Sequence, residues 1–81
     1  MQLDILTPDE KVFSGEVTSV NLPGTQGYFE VLTNHAPIIS TLERGVIKIR
    51  KNNTEENIEV DGGIVEVLNN KVIVLAEALI K

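Results

Sequence analysis

Apolar residues along this chain recur at every second position. Ile47 and Ile49 alternate with Lys48 and Arg50, and Ile58 and Val60 alternate with Asn57 and Glu59. A period of two belongs to half-buried strands with one wet face. Val65 and Val67 flank Glu66 in the same way, so the carboxylate points away from the apolar pair. Val72–Leu75 is continuously apolar and predicts a strand covered on both sides. Leu3–Leu6, Val12–Phe13, Val17–Leu22 and Phe29–Leu32 supply earlier strands.

The punctuation is regular. Ser14-Gly15, Pro23-Gly24 through Gly27, Glu43 to Gly45, Asn52-Asn53, Asp61 to Gly63 and Asn69-Asn70 break the apolar pattern in turn. Asn69-Asn70 predicts a two-residue hairpin, because Asn tolerates the positive φ of a type I′ turn. Asn52–Thr54 predicts a second hairpin between Val46–Lys51 and Glu55–Val60. Pro23, Gly24, Pro37, Gly62 and Gly63 are expected in loops. Ten Val, nine Ile and six Thr against three Ala favour strand over helix, since branched side chains fit a pleated surface better than a helix. The reading is all-β: nine or ten short strands in one β-sandwich, a single domain over residues 1–81, with no helix longer than a turn.

Composition narrows what such a body does. The 8.9 kDa chain scales to about 4,800 Å² of folded surface, a size with little spare core that leans on partners. It has no cysteine, hence no disulfide or thiolate metal site. Apolar runs are too short for a transmembrane helix, and the opening Met1-Gln2-Leu3-Asp4 shows no signal-peptide pattern. The expected location is therefore the cytosol or the periphery of a complex, with no direct membrane insertion. A formal net charge of −5 and only three aromatics, Phe13, Tyr28 and Phe29, argue against nucleic acid as a partner.

Candidate chemistry is sparse. His35 is the only histidine, so a triad would need it together with Ser14, Ser19 or Ser40 and Asp4, Asp9 or Asp61. No nucleophile elbow accompanies these residues, and His35 is better read as shaping an Asn34-His35-Ala36-Pro37 turn. One histidine without cysteine leaves no zinc ligand set. Gly24-Thr25-Gln26-Gly27 lacks the Lys and following helix of a phosphate loop and reads as a turn needing positive φ after Pro23. Tyr28 and Phe29, adjacent on a strand, must face opposite ways. Phe29 is expected inward and Tyr28 at the surface, where aromatics often anchor interfaces.

Longer motifs then enter. Val20-Asn21-Leu22-Pro23-Gly24-Thr25-Gln26-Gly27-Tyr28-Phe29-Glu30-Val31-Leu32 is followed by Asn34-His35-Ala36-Pro37, Leu42-Glu43-Arg44-Gly45-Val46-Ile47 and Gly62-Gly63-Ile64-Val65-Glu66-Val67. With Leu3-Asp4-Ile5-Leu6-Thr7-Pro8, Phe13-Ser14-Gly15 and Lys71-Val72-Ile73-Val74-Leu75-Ala76, this order resembles the N-terminal domain of the epsilon subunit of bacterial F-type ATP synthases, over essentially the whole chain. The resemblance implies a ten-stranded β-sandwich. It also implies a non-catalytic rotor subunit of the central stalk that docks on the gamma subunit, rests on the ring of c subunits and couples proton flow to ATP synthesis at the cytoplasmic face of the bacterial inner membrane.

Carried over by position, the resemblance puts Gln26, Gly27 and Tyr28 against the c-ring and Thr7, His35 and Ser40 against gamma. Relatives often carry acids in the ring-facing loop. Gln26 and Tyr28 here imply hydrogen bonding and aromatic packing in place of charge pairing. Many relatives continue into two C-terminal helices that inhibit hydrolysis or bind ATP. This sequence stops at Ala76-Glu77-Ala78-Leu79-Ile80-Lys81, so either a naturally short subunit or an excised domain is expected, lacking the helical domain, with no cofactor and no ATP binding. The alternative is a stand-alone β-sandwich that binds a ligand or peptide through the 24–35 loop region.

Overall fold

Two asparagine turns set the long hairpins of the fold, as a computed structural model of the chain shows for residues 1–80; Lys81 lies outside the described residues. Asn52 has φ 57°, and Lys51 pairs with Thr54 across the turn. Asn69 and Asn70 have φ of 51° and 61°, as both central residues of a type I′ turn require. Around these turns run seven strands: β1 (Gln2–Leu6), β2 (Lys11–Glu16), β3 (Ser19–Gly24), β4 (Gly27–Leu32), β5 (Ile38–Lys51), β6 (Thr54–Leu68) and β7 (Lys71–Ala76). The described residues contain no helix.

The strands join one sheet in the order β2-β1-β7-β6-β5-β3-β4. All neighbours are antiparallel except β1 and β7, which run parallel from Gln2 beside Lys71 to Leu6 beside Leu75. The count is seven because the expected breaks at Glu43–Gly45 and Asp61–Gly63 are bends inside single strands of 14 and 15 residues. Sequence punctuation marks both a strand end and a bend, so several expected short strands are halves of β5 and β6.

Those bends give the sandwich its two layers. Along β5 the buried positions are Leu42, then Ile47 and Ile49, and along β6 they are Val60, then Val65 and Val67. The buried phase thus changes parity on both strands at one level of the ladder. A plain strand would then bury opposite faces on either side of this level. Here both halves contribute to one core, which also takes Leu3 and Ile5 of β1, Val20 and Leu22 of β3, Val31 of β4, and Val72 and Val74 of β7. The ladder rotates at the bend and folds the sheet over on itself. Gly63 sits at that point with φ +151°, where a Cβ would run into the Leu75 carbonyl oxygen.

The folded surface is 4858 Å². Each fully buried aliphatic side chain contributes about 1.5–3 kcal/mol, so this single core is the main source of stability.

Two expectations are corrected. Pro23 and Gly24 close strand β3 and do not belong to the turn, which is Thr25-Gln26 between the paired Gly24 and Gly27. Pro23 is tolerated there because β3 pairs with β5 at Asn21–Lys48 and again at Gly24–Leu42, with a register shift between. A residue without an N–H breaks no ladder bond in that gap. Strand β7 is covered on one face only: Val72 and Val74 are buried, whereas Leu75 is 50% exposed.

Candidate functional site

The β3–β4 hairpin tip holds Gln26, Gly27 and Tyr28 together. Gly27 has φ +123° and open space around it, so backbone conformation, not crowding, selects glycine there. Gly24 differs. A Cβ on it would sit 3.0 Å from the Phe29 ring, which turns inward against the core. Tyr28 is 57% exposed on the opposite face.

The tip is tied to β5 by several links. The Thr25 amide donates to the Thr41 carbonyl at 3.1 Å, and the two threonine hydroxyls lie 2.9 Å apart. Val46 donates its backbone N–H to the Tyr28 hydroxyl at 3.0 Å. Beneath them, a Cβ on Gly45 would meet both Pro23 Cβ and Tyr28 Oη at 2.6 Å. Tyr28 therefore combines an exposed ring with a hydroxyl that satisfies a backbone donor at the irregular stretch of β5. These links join residues 16 and 18 positions apart, so no local sequence signal announces them.

Between the tip and the start of β5 lies an open groove of about 640 Å³, lined by residues 24–29 and 38–41. Ser40, expected on the gamma-facing side, thus borders the same groove as Gln26, Gly27 and Tyr28. Its hydroxyl donates to the Thr41 carbonyl at 3.1 Å.

Thr7 and His35 lie elsewhere. Thr7 closes the turn after β1, accepting from the Glu10 amide at 3.2 Å and donating to its carbonyl at 3.3 Å. His35 sits in the loop between β4 and β5, with Nδ1 donating to the Ala36 carbonyl at 2.7 Å. That loop is pinned at the other end of the layer, where Asn34 N–H donates to Asn70 Oδ1 at 2.9 Å. Asn70 is level with Gln2, whose amide donates to its carbonyl. Thr7 and His35 are therefore separated by about 16 Å along the strands. Ser40 is level with Ile5, three strands away across the sheet. The structure does not gather Thr7, His35 and Ser40 into one cluster. Pro37 lies in the loop before β5, while Gly62 and Gly63, expected in a loop, lie within β6.

Among the described residues, the triad candidates Ser14, Ser19 and Asp4 make no hydrogen bond to His35. Ser14 donates to Asp4 Oδ1 at 2.7 Å, and Ser19 is buried in β3. Asp4 also accepts from Gln2 at 3.0 Å. The hydrogen bond from Ser14, then that from Gln2, with Lys71 and Lys11 adding positive charge, holds the Asp4 carboxyl below the usual carboxylate range.

Sequence reasoning missed an apolar outward face. Pairing puts Thr41, Ile64, Leu75 and Leu6 in one row and Ile39, Glu66, Ile73 and Asp4 in the next. Ile39 is 69% exposed, and Ile64 and Leu75 are also exposed. The doublets Ile38-Ile39 and Ile64-Val65 were its signal, since a half-buried strand has no need of them.

The whole chain, residues 1–81, matches the family described as the ATP synthase, Delta/Epsilon chain, beta-sandwich domain. It is 40% identical over 77 residues to the ATP synthase epsilon chain of Leptospira borgpetersenii, covering 95% of this chain and 61% of that relative. It is 42% identical over 77 residues to the epsilon chain of Chlorobium limicola, covering 94% of this chain and 88% of that one. The chain therefore spans about three fifths of the Leptospira relative and most of the Chlorobium one. In fold it is similar to a chain in the solved central stalk and c-ring of the Tetrahymena thermophila mitochondrial ATP synthase. The TM-score is 0.85 at 16% identity, with 99% of this chain and 65% of that one covered.

Proposed function

The chain belongs to the ATP synthase Delta/Epsilon beta-sandwich family, and on that premise we propose that it is a non-catalytic subunit of the central stalk. It links the gamma subunit to the c-ring and helps couple proton flow to ATP synthesis at the cytoplasmic face of the bacterial inner membrane. The reading assigns Gln26, Gly27 and Tyr28 to the ring contact and Thr7, His35 and Ser40 to the gamma contact.

The observation that carries it is the braced hairpin tip. A contact that transmits torque must not bend under it. Thr25 is tied twice to Thr41 and Tyr28 once to Val46, so a force on the tip passes directly to the long β5–β6 ladder. Close packing of the core limits deformation behind it. The tip presents Gln26 and Tyr28, which suit hydrogen bonding and aromatic contact.

Replacing Gln26 and Tyr28 together by alanine in the assembled enzyme tests this. Proton-driven synthesis is expected to fall several-fold while the subunit still assembles. Tyr28→Phe keeps the ring and removes only the brace, which separates contact from rigidity. Unchanged synthesis and assembly in the alanine pair would remove the tip from the coupling path.

A further inference from the structure

The sheet has several free edges, and they are not alike. An unpaired edge offers backbone donors and acceptors to any passing strand, and proteins guard such edges with charge, proline or a covering segment. Strand β2 carries Lys11 and Glu16 at its ends. The first half of β6 carries Glu55, Glu56 and Glu59. It is also overlaid by the chain after β7, where Asp61 donates to Ala78, Ile80 donates to Glu59, and Val60 bridges Leu79. Strand β4 carries Glu30.

The start of β5 carries neither charge nor a covering segment, and its nearest proline, Pro37, lies just before the strand. On one side Ile38–Leu42 pairs with β6, and on the other β3 reaches it only at Gly24–Leu42. The Thr41 carbonyl turns to this second side, where it accepts from Thr25. By the two-residue alternation of an antiparallel ladder, Ile39 turns its N–H and C=O the same way, into the groove. Among the described residues neither group has a backbone partner there. The groove contains no charged side chain, although the chain has seven basic and twelve acidic residues. Its rims are apolar and exposed, at Ile39 and Tyr28.

We propose that the uncharged edge of β5 over residues 38–41 accepts an extended, uncharged segment of a neighbouring stalk protein as an added strand. Main-chain bonds to the N–H and C=O of Ile39 and to the N–H of Thr41 supply the affinity, since the Thr41 carbonyl is already taken by Thr25 and Ser40, and the exposed Ile39 side chain packs against the added strand. A second copy of this chain is a poor occupant, because each copy carries a net charge of −5 and two would repel. The identity of the partner rests on the stalk-subunit reading above. The edge itself does not.

The test uses ATP synthase stripped of this chain and titrates the full chain back. Ile39→Pro removes the outward N–H without breaking a ladder bond to β6, and Ile39→Lys keeps that N–H but places a charge on the edge. Each is expected to weaken rebinding at least tenfold with an unchanged thermal midpoint of the free chain. In the wild type, amide exchange at Ile39 and Thr41 is expected to slow at least tenfold on binding. Wild-type rebinding matched by both variants, with exchange at the free rate, overturns the strand proposal and leaves the stalk reading intact. Failure of the wild type to rebind overturns both. A concentration-dependent dimer of the free chain that Ile39→Pro abolishes assigns the edge to a second copy and overturns the proposal as stated.

Discussion

Gly45→Ala is the sharpest probe of the braced tip. The added methyl group would lie 2.6 Å from both Pro23 Cβ and Tyr28 Oη, well inside contact distance. Either Pro23 shifts within β3 or the Tyr28 ring swings away from Val46. Overpacking of this kind costs about 1–3 kcal/mol, and losing the Val46-to-Tyr28 hydrogen bond costs about 0.5–1.5 kcal/mol more. A total of about 1.5–4.5 kcal/mol is a large share of the roughly 4–12 kcal/mol expected for a chain of this length. Urea denaturation measures the loss. A double-mutant cycle with Tyr28→Phe locates it. If the clash lies at the hydroxyl, Tyr28→Phe destabilises the wild type by about 1 kcal/mol but is neutral or stabilising in the Gly45→Ala background, a coupling of about 1 kcal/mol. Additivity within about 0.3 kcal/mol would refute the reasoning and shift the clash to Pro23 alone.

Other outcomes follow from the same geometry. Gly63→Ala sets a Cβ against the Leu75 carbonyl at a backbone angle that L-residues avoid, so it is expected to cost more than about 3 kcal/mol. Gly27→Ala meets only the conformational penalty, about 1–2 kcal/mol. Equal losses in paired urea titrations would contradict the contact at Gly63. The lowered carboxyl of Asp4 stabilises the fold above the unfolded value near 3.9, and that contribution disappears as pH falls through the lower folded value. The stability gap between wild type and Asp4→Asn should therefore be full at neutral pH and shrink in acid. A gap constant down to about pH 2 would show that the carboxylate's charge plays no part. Leu75→Thr, at a half-exposed outward position, is expected to change stability by less than about 1 kcal/mol. A larger loss would mean that the residue packs against the fold.

Local chemistry was legible where it was self-contained. Asn69-Asn70 sits between two strand patterns and adopts the positive φ angles that its residue types suggest. Tyr28 and Phe29 divide between surface and core as strand geometry demands. What remained hidden depends on register between distant segments. Gly62-Gly63 looks identical whether it ends a strand or bends one. The apolar run of β7 could be taken as doubly covered until pairing with β6 showed Leu75 beside the exposed Ile64. The role of Gly45 needs Pro23 and Tyr28 in three dimensions, because nothing in Glu43-Arg44-Gly45-Val46 identifies what presses on it.

The parallel neighbours β1 and β7 give the molecule a mechanical polarity. The first and last strands lie side by side and point the same way, so tension applied at opposite chain ends slides one along the other. Every bond between Gln2–Leu6 and Lys71–Ala76 is then strained together, where an antiparallel pair pulled from one end would unzip bond by bond. Stretching between the termini should meet a single high rupture force, and the same chain gripped at the Asn52-Asn53 tip and Met1 should open more gradually.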